Sequence, residues 1–423
     1  MLIFIRDMAL VAAIVLLSGY SFAADPDVEN DTNRTIKIYH DADYSNHESS
    51  ALAMMMGLNT ALDEVGFQLQ GYRLELVPKN HRGNSVRSKQ HMKEFIEDPD
   101  ALFILGGLHS SPYIRYRDYI NENQVLLLIP WAAGGPITRY DQGLNWVFRL
   151  SIDDTKAGYR MIQYAHDKKS CKTPHLLLED TPWGKSNFET MSKAMKQYSD
   201  VKLSVSWFNW NTKVNSARIL LRDIANSGSD CILFVGNSIE GVDIFEAIVS
   251  LEESQRLPVV SHWGITGGDF EKHIDAQKRE KLDLSFIQTC FSFLGDKDNA
   301  IKDSIFDRAK KLYPQALESS VDVSSPAGFI HSYDLGKLFI QAVNEIKLTG
   351  DVRVDRVAIR NKLENINTPV EGLLKIYSAP FSAWSTDDQD AHEALGLDDF
   401  CMATYDKNGH VVVYPNDYIK EVD

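Results

Sequence analysis

Two apolar runs without alternation constrain this chain most, Leu102-Phe-Ile-Leu-Gly-Gly-Leu-His-Ser-Ser-Pro112 and Val125-Leu-Leu-Leu-Ile-Pro-Trp-Ala-Ala-Gly-Gly-Pro-Ile137. Such runs suit parallel strands covered on both faces, and parallel sheets bind ligands beyond the carboxyl ends of their strands. Each run ends in small or hydroxyl residues that let backbone approach a guest, so the pair predicts two rims of one ligand cleft. Ser110 and Ser111 offer hydroxyls and, if a helix begins at Pro112, free N–H groups for an anion such as a carboxylate. Alone, these serines read as an ordinary helix cap after a glycine turn; the second rim, Ala132 to Gly135, tips the balance toward a cleft.

A chain of 423 residues, 44% hydrophobic and 24% charged, can bury a sizeable core and predicts two domains. Met1 to Ala24 carries one arginine, an apolar stretch from Met8 to Leu17, and Ser-Phe-Ala-Ala before Asp25, the pattern of a cleavable secretion signal. Ten apolar residues are short for a membrane anchor. The formal charge of -15 argues against nucleic acid or anionic membrane as a partner. Four cysteines (Cys171, Cys231, Cys290, Cys401) are too few for a disulfide scaffold; three pairings and four buried thiols all stay open. No Cys or Cys/His spacing suggests zinc, and no cofactor is expected.

Residues 25–33 are polar and predict a flexible leader. The chain then alternates: strand Thr35 to Tyr39, helix Ser49 to Val65, strand Tyr72 to Val77, helix Ser85 to Glu97, strand Ala101 to Leu105, helix Pro112 to Glu122 and strand Val125 to Ile129. This is a doubly wound α/β unit. After Trp146 to Leu150 the rhythm restarts, with strands near His175 to Leu178, Lys202 to Trp207, Cys231 to Val235, Pro258 to Ser261 and Leu284 to Cys290. Helices fill Asp298 to Leu312, Ala327 to Lys347 and Val354 to Ile366. A tail hairpin turns at Asp406-Lys-Asn-Gly409.

The order and spacing of several weak motifs resemble one family. They are Gly57 to Val65, Leu74 to Val77, Ile104 to Ser111, Leu128 to Pro136, Trp146 to Arg149, Leu178 to Gly184, Cys231 to Gly236 and Ser332 to Leu335. Across nearly the whole chain after the leader, it resembles type 1 periplasmic solute-binding proteins, in particular the branched-chain amino acid group serving ABC importers. The resemblance implies two Rossmann-like lobes joined by a three-crossover hinge: lobe I from residues 34–150 and 293–367, lobe II from 151–292 and 368–423. It implies no catalysis, a monomer, and hinge closure on a small molecule, amino acid-like, an amide or an aromatic acid. The closed form would then be presented to a membrane permease or, alternatively, a sensor receptor.

Carried over residue by residue, the family's first-lobe carboxylate contacts fall on Ser110, Ser111, Ala132, Ala133 and Gly134. Amino acid binders often carry threonine where this chain has Gly134, so one gripping hydroxyl is missing. The family's cleft tyrosine falls on Trp183, which makes a flat wall for apolar, aromatic or cationic groups; burial beneath its loop is the competing placement. Asn237 and Ser238 follow a strand in a cleft position, with Glu240 near enough for an ammonium or for ordinary helix capping. His262 and Trp263 stand where the family often places an acidic residue. Asp41, Asp43 and Tyr44 follow the first strand as candidates for ligand contact from lobe I or for capping the first helix, Asp43 best read as the cap, with His40 and His47 at the surface or rim.

Enzymatic alternatives find no support. GxSxG, Walker A, GxGxxG and HExxH motifs are absent, and His392-Glu393-Ala-Leu-Gly lacks the second histidine. Asp41-Ala-Asp43-Tyr-Ser45 begins like a calcium loop, but Asn46 and Leu52 occupy its glycine and glutamate positions. Met54 to Met56 reads as core packing and Asp387 to Asp390 as a solvated acidic loop.

Overall fold

The computed structural model describes residues 34–199, 202–210, 212–294 and 300–414; the expected secretion signal and leader lie outside them. A first sheet holds β1 (Thr35–Ala42), β2 (Gln68–Leu69), β3 (Tyr72–Asn80), β4 (Ala101–Gly107), β5 (Leu127–Trp131) and β6 (Val147–Arg149) in the order β2-β3-β1-β4-β5-β6. Its pairings are parallel except for the β2–β3 hairpin. A second sheet takes β7 (Pro174–Glu179), β8 (Ser204–Phe208), β9 (Cys231–Val235), β10 (Val259–Ser261) and β11 (Leu284–Thr289), all parallel. After a separate small hairpin, β12 (Val370–Glu371) with β13 (Ile376–Tyr377), the antiparallel β14 (Phe400–Tyr405) and β15 (Val411–Val413) extend the second sheet, giving β15-β14-β11-β10-β9-β7-β8.

β4 and β5 are buried at every residue. Their unalternating sequence requires this, because a strand with covered faces has no polar side to offer water. The predicted helix from Pro112 to Glu122 is instead two, Ser111–Arg115 and Arg117–Glu122, separated at Tyr116 (φ -113°, ψ 22°). There the tyrosine ring meets the cations of Lys89 and Arg115.

Helices Ala300–Leu312, Pro326–Asn344 and Val352–Leu363 return to the first sheet, and Pro326–Asn344 lies along Glu48–Asp63. Gly57 sits where this pair closes: a Cβ there would collide with the Phe329 carbonyl. The chain therefore crosses between lobes three times, after β6, after β11 and after Val352–Leu363.

The first and third crossovers are bonded together. Arg149 N–H donates to the His392 carbonyl and Ala394 N–H to the Arg149 carbonyl, both at 2.9 Å. The fully buried Arg149 guanidinium lies 2.6 Å from Glu393 and 2.9 Å from Asp153. Arg139 reaches Asp153 at 2.7 Å. His392-Glu393, which fails as a metal motif, thus anchors the hinge. Among the readings left open for the cysteines, pairing prevails: Cys171–Cys231 joins the start of neighbouring β9 to the residues before β7, and Cys290–Cys401 ties the end of β11 to β14.

Candidate functional site

Loops after β1, β3 and β4 bring a polar cluster to the carboxyl edge of the first sheet. Asp43 Oδ1 accepts backbone N–H groups from Ser45 (3.1 Å) and Asn46 (3.0 Å), an Asx turn that fixes the loop. The expected helix-capping role for Asp43 is corrected, since His47 occupies the N-cap of Glu48–Asp63 and no side chain bonds there. Asp43 Oδ2 instead faces His109 Nε2 at 3.3 Å and His47 Nδ1 at 3.5 Å. The His81 ring stands 5.5 Å from that of His109. Its Nδ1 accepts the Gly83 N–H at 3.0 Å, so the neutral ring carries its proton on Nε2.

Burial pushes the Asp43 carboxyl up, but hydrogen bonds from His109, His47 and the Asn46 amide outweigh it and hold the group well below the usual carboxylate range. Burial also lowers His47 and His81 to about 4, so both rings are neutral at pH 7. His40 and His47, expected at the surface or rim, are 0% and 4% exposed. Both lie at the covered carboxyl end of a central strand, and His40 Nδ1 meets the Tyr44 hydroxyl at 2.6 Å.

The two predicted rims meet each other. Ser110 Oγ accepts the Gly134 N–H at 3.0 Å, so a hydroxyl and an amide expected to hold a carboxylate are engaged together. Ser111 opens a short helix, and Ala132 and Ala133 are buried. Asp41 is engaged by His91 Nδ1 at 2.6 Å and by the Tyr113 hydroxyl at 3.0 Å.

Opposite lies the second lobe. Thr181 caps Pro182–Met195, whose Gly184 passes so near β7 that a Cβ would strike the Glu179 carbonyl. The neighbouring Trp183 is buried, edge-on to His262 at 5.1 Å. His262 is tied to Asp154 at 2.8 Å, and Asp154 also accepts from Asn187. Asn237 donates to Glu179 Oε2 at 3.3 Å. Ser238 begins the helix Ser238–Val249, and Glu240 in its first turn is buried. Burial, and then the like charge of Glu179, lift Glu240 to about 7; burial raises Glu179 as well.

The lobes touch along this edge. Ser50 hydroxyl donates to the Gly267 carbonyl, Trp131 meets Trp263 at 5.3 Å, and His109 meets Trp210 at 5.4 Å between ring centres. Leu108, in the left-handed region at φ +60°, is pressed toward Gly267. A leucine so held costs on the order of 1–3 kcal/mol, strain that gathers at functional sites. Sequence reasoning did not single out Glu179, His81, Leu108, His109, Trp210 or Gly267 as site residues. Position was the available signal, because His81 and Trp210 follow β3 and β8 as closely as Ser110 follows β4.

A sequence profile of the periplasmic binding protein family matches residues 43–395. The chain belongs to this family. No curated protein sequence matches it. Its fold is that of the type 1 binding proteins, as three solved structures illustrate. A periplasmic binding protein type 1 from Bordetella pertussis Tohama I is 14% identical, with 90% of this chain and 100% of that one covered and a TM-score of 0.72. The leucine binding protein LivK from Thermotoga maritima is 16% identical (90% and 98% covered, TM-score 0.68). A solute-binding protein of an ABC transporter from R. palustris, in complex with 4-hydroxybenzoate, is 14% identical (90% and 95% covered, TM-score 0.70). Among the described residues of this binding protein, no helix is long and apolar enough to cross a membrane.

Proposed function

We propose that this binding protein works in the periplasm as a monomer, closing on an amino acid, amide or aromatic acid and handing it unchanged to the permease of an ABC importer. One observation carries the reading: the carboxyl ends of two parallel sheets face each other, with Ser50, Leu108 and Trp131 of one lobe against Gly267 and Trp263 of the other. Two walls fit that ligand range. Trp183 and Trp263 offer aromatic surface. Glu240, half ionised near neutrality, accepts from an ammonium in one state and donates to a carbonyl in the other.

A thermal-shift screen of amino acids, amides, short-chain acids and aromatic acids tests this. A one-site ligand at a hundred times its dissociation constant adds ~2.7 kcal/mol. Trp183→Ala and Ser111→Ala should each weaken the hit. No shift across the panel, or a hit unchanged in both variants, overturns the proposal.

A further inference from the structure

Asp43, His47 and His109 are 2%, 4% and 5% exposed, and each offers a ligand atom within 4.8 Å of the other two. As hydrogen bonds these contacts are long: an N–H···O bond settles near 2.9–3.0 Å, whereas these separations are 3.3 and 3.5 Å. As edges of a coordination shell they are good. Zinc holds nitrogen and carboxylate oxygen at about 2.0–2.2 Å, and a tetrahedron with such arms has edges of about 3.3–3.6 Å.

We propose that Asp43 Oδ2, one ring nitrogen of His47 and Nε2 of His109 bind a divalent transition-metal ion of the zinc class. Mixed imidazole and carboxylate donors select that class over calcium and magnesium, which take oxygen. The carboxylate is oriented by its own loop, since Oδ1 is held by the Ser45 and Asn46 backbone amides and the Asn46 side-chain amide donates to Oδ2 at 3.1 Å, as outer-shell contacts orient metal ligands elsewhere. His47 Nε2 is buried without a hydrogen-bond partner, so nothing else holds this ring. His81 is not a fourth ligand. It lies outside the group of mutually close ligand atoms, and its Nδ1 is occupied by the Gly83 amide. Trp210 of the second lobe lies over His109 and covers the cluster from the cleft side.

Sequence spacing gave no sign of this site because its members come from two separate loops, sixty-six residues apart at their extremes. All three ligands belong to the first lobe, so the proposal stands or falls apart from the transport reading.

The full chain, stripped with chelator, is titrated with Zn²⁺ and with Co²⁺. About one equivalent should bind, Co²⁺ should develop tetrahedral visible absorption, and X-ray absorption at the zinc edge should show two imidazoles. His47→Gln and His109→Gln should each weaken Zn²⁺ by more than the 10–100-fold that loss of an outer-shell partner costs. Asp43→Asn, which keeps the Oδ1 turn, should weaken it too. His410→Gln, at the separate Asp406–His410 pair, should leave it unchanged. Failure of both metals to bind, an all-oxygen shell in the unmodified chain, or binding lost only in His410→Gln overturns the proposal.

Discussion

At the residue scale, two buried charges invite opposite expectations. Glu240 keeps its proton up to about 7, against an ordinary value of 4.5, because burial and Glu179 both oppose ionisation. A carboxyl raised in the fold contributes stability that is fully present below pH 4.5 and lost as pH rises through 7. Glu240→Gln carries no such loss. Its unfolding free energy relative to the unmodified protein should therefore climb by up to roughly 3 kcal/mol between pH 4.5 and 8 and then level off. A pH-independent difference in denaturant titrations would show that Glu240 is not so perturbed. Glu393 is the reverse case, a carboxylate that compensates the buried Arg149. Removing one partner of a buried pair costs about 3–5 kcal/mol. Because Asp153 also contacts Arg149, Glu393→Gln should fall near the low end, measured as a drop in denaturant midpoint at unchanged slope.

Strands were legible wherever burial on both faces left only one kind of residue to use. β9 occupies the predicted Cys231–Val235, β4 starts at the predicted Ala101 and runs two residues further, and β5 lies two residues later than predicted. Helix Ser85–Glu97 was equally plain because Asn84 accepts from Val86 and Arg87 at its start. The break at Tyr116 was not legible, since the intrinsic preferences of Tyr and its neighbours permit one continuous helix. Nor was the histidine cluster, whose members look like loop residues until three loops converge. Ser110 and Gly134 were each read as rim residues, but their bond to each other was not legible. The second sheet adds a prediction at this scale. Cys290–Cys401 closes a separation of 111 residues between β11 and β14, and chain entropy gives such a loop roughly 4–5 kcal/mol of stabilisation. Replacing both cysteines by serine should lower stability by about that amount in urea titrations. A loss under about 1 kcal/mol would mean that the β11–β14 ladder holds without it.

For the whole molecule, the decisive property is that the contacts between the lobes join residues of two different sheets, so under the proposed closure they are the contacts that would form and break. Gly267 belongs to the second lobe, and its Cβ position lies 2.7 Å from Leu108 Cδ1 and 3.1 Å from Ser50 Oγ, both of the first. Its φ of -88° is open to any residue, so a side chain there strains no backbone. Gly267→Leu should therefore leave each lobe intact while wedging the pair apart. Overpacking costs about 1–3 kcal/mol, and here most of that cost falls on the closed form, since the Gly264 carbonyl, 3.2 Å from the same Cβ position, is its one near neighbour within the second lobe. A ligand bound only by the closed form should weaken by the matching ~5–150-fold. Small-angle scattering should show the variant staying at the open radius of gyration at ligand levels that compact the unmodified protein. Unfolding free energy without ligand should move by less than about 1 kcal/mol, provided the unliganded protein rests open. If affinity and radius both match the unmodified protein, closure does not pass through the Leu108–Gly267 contact.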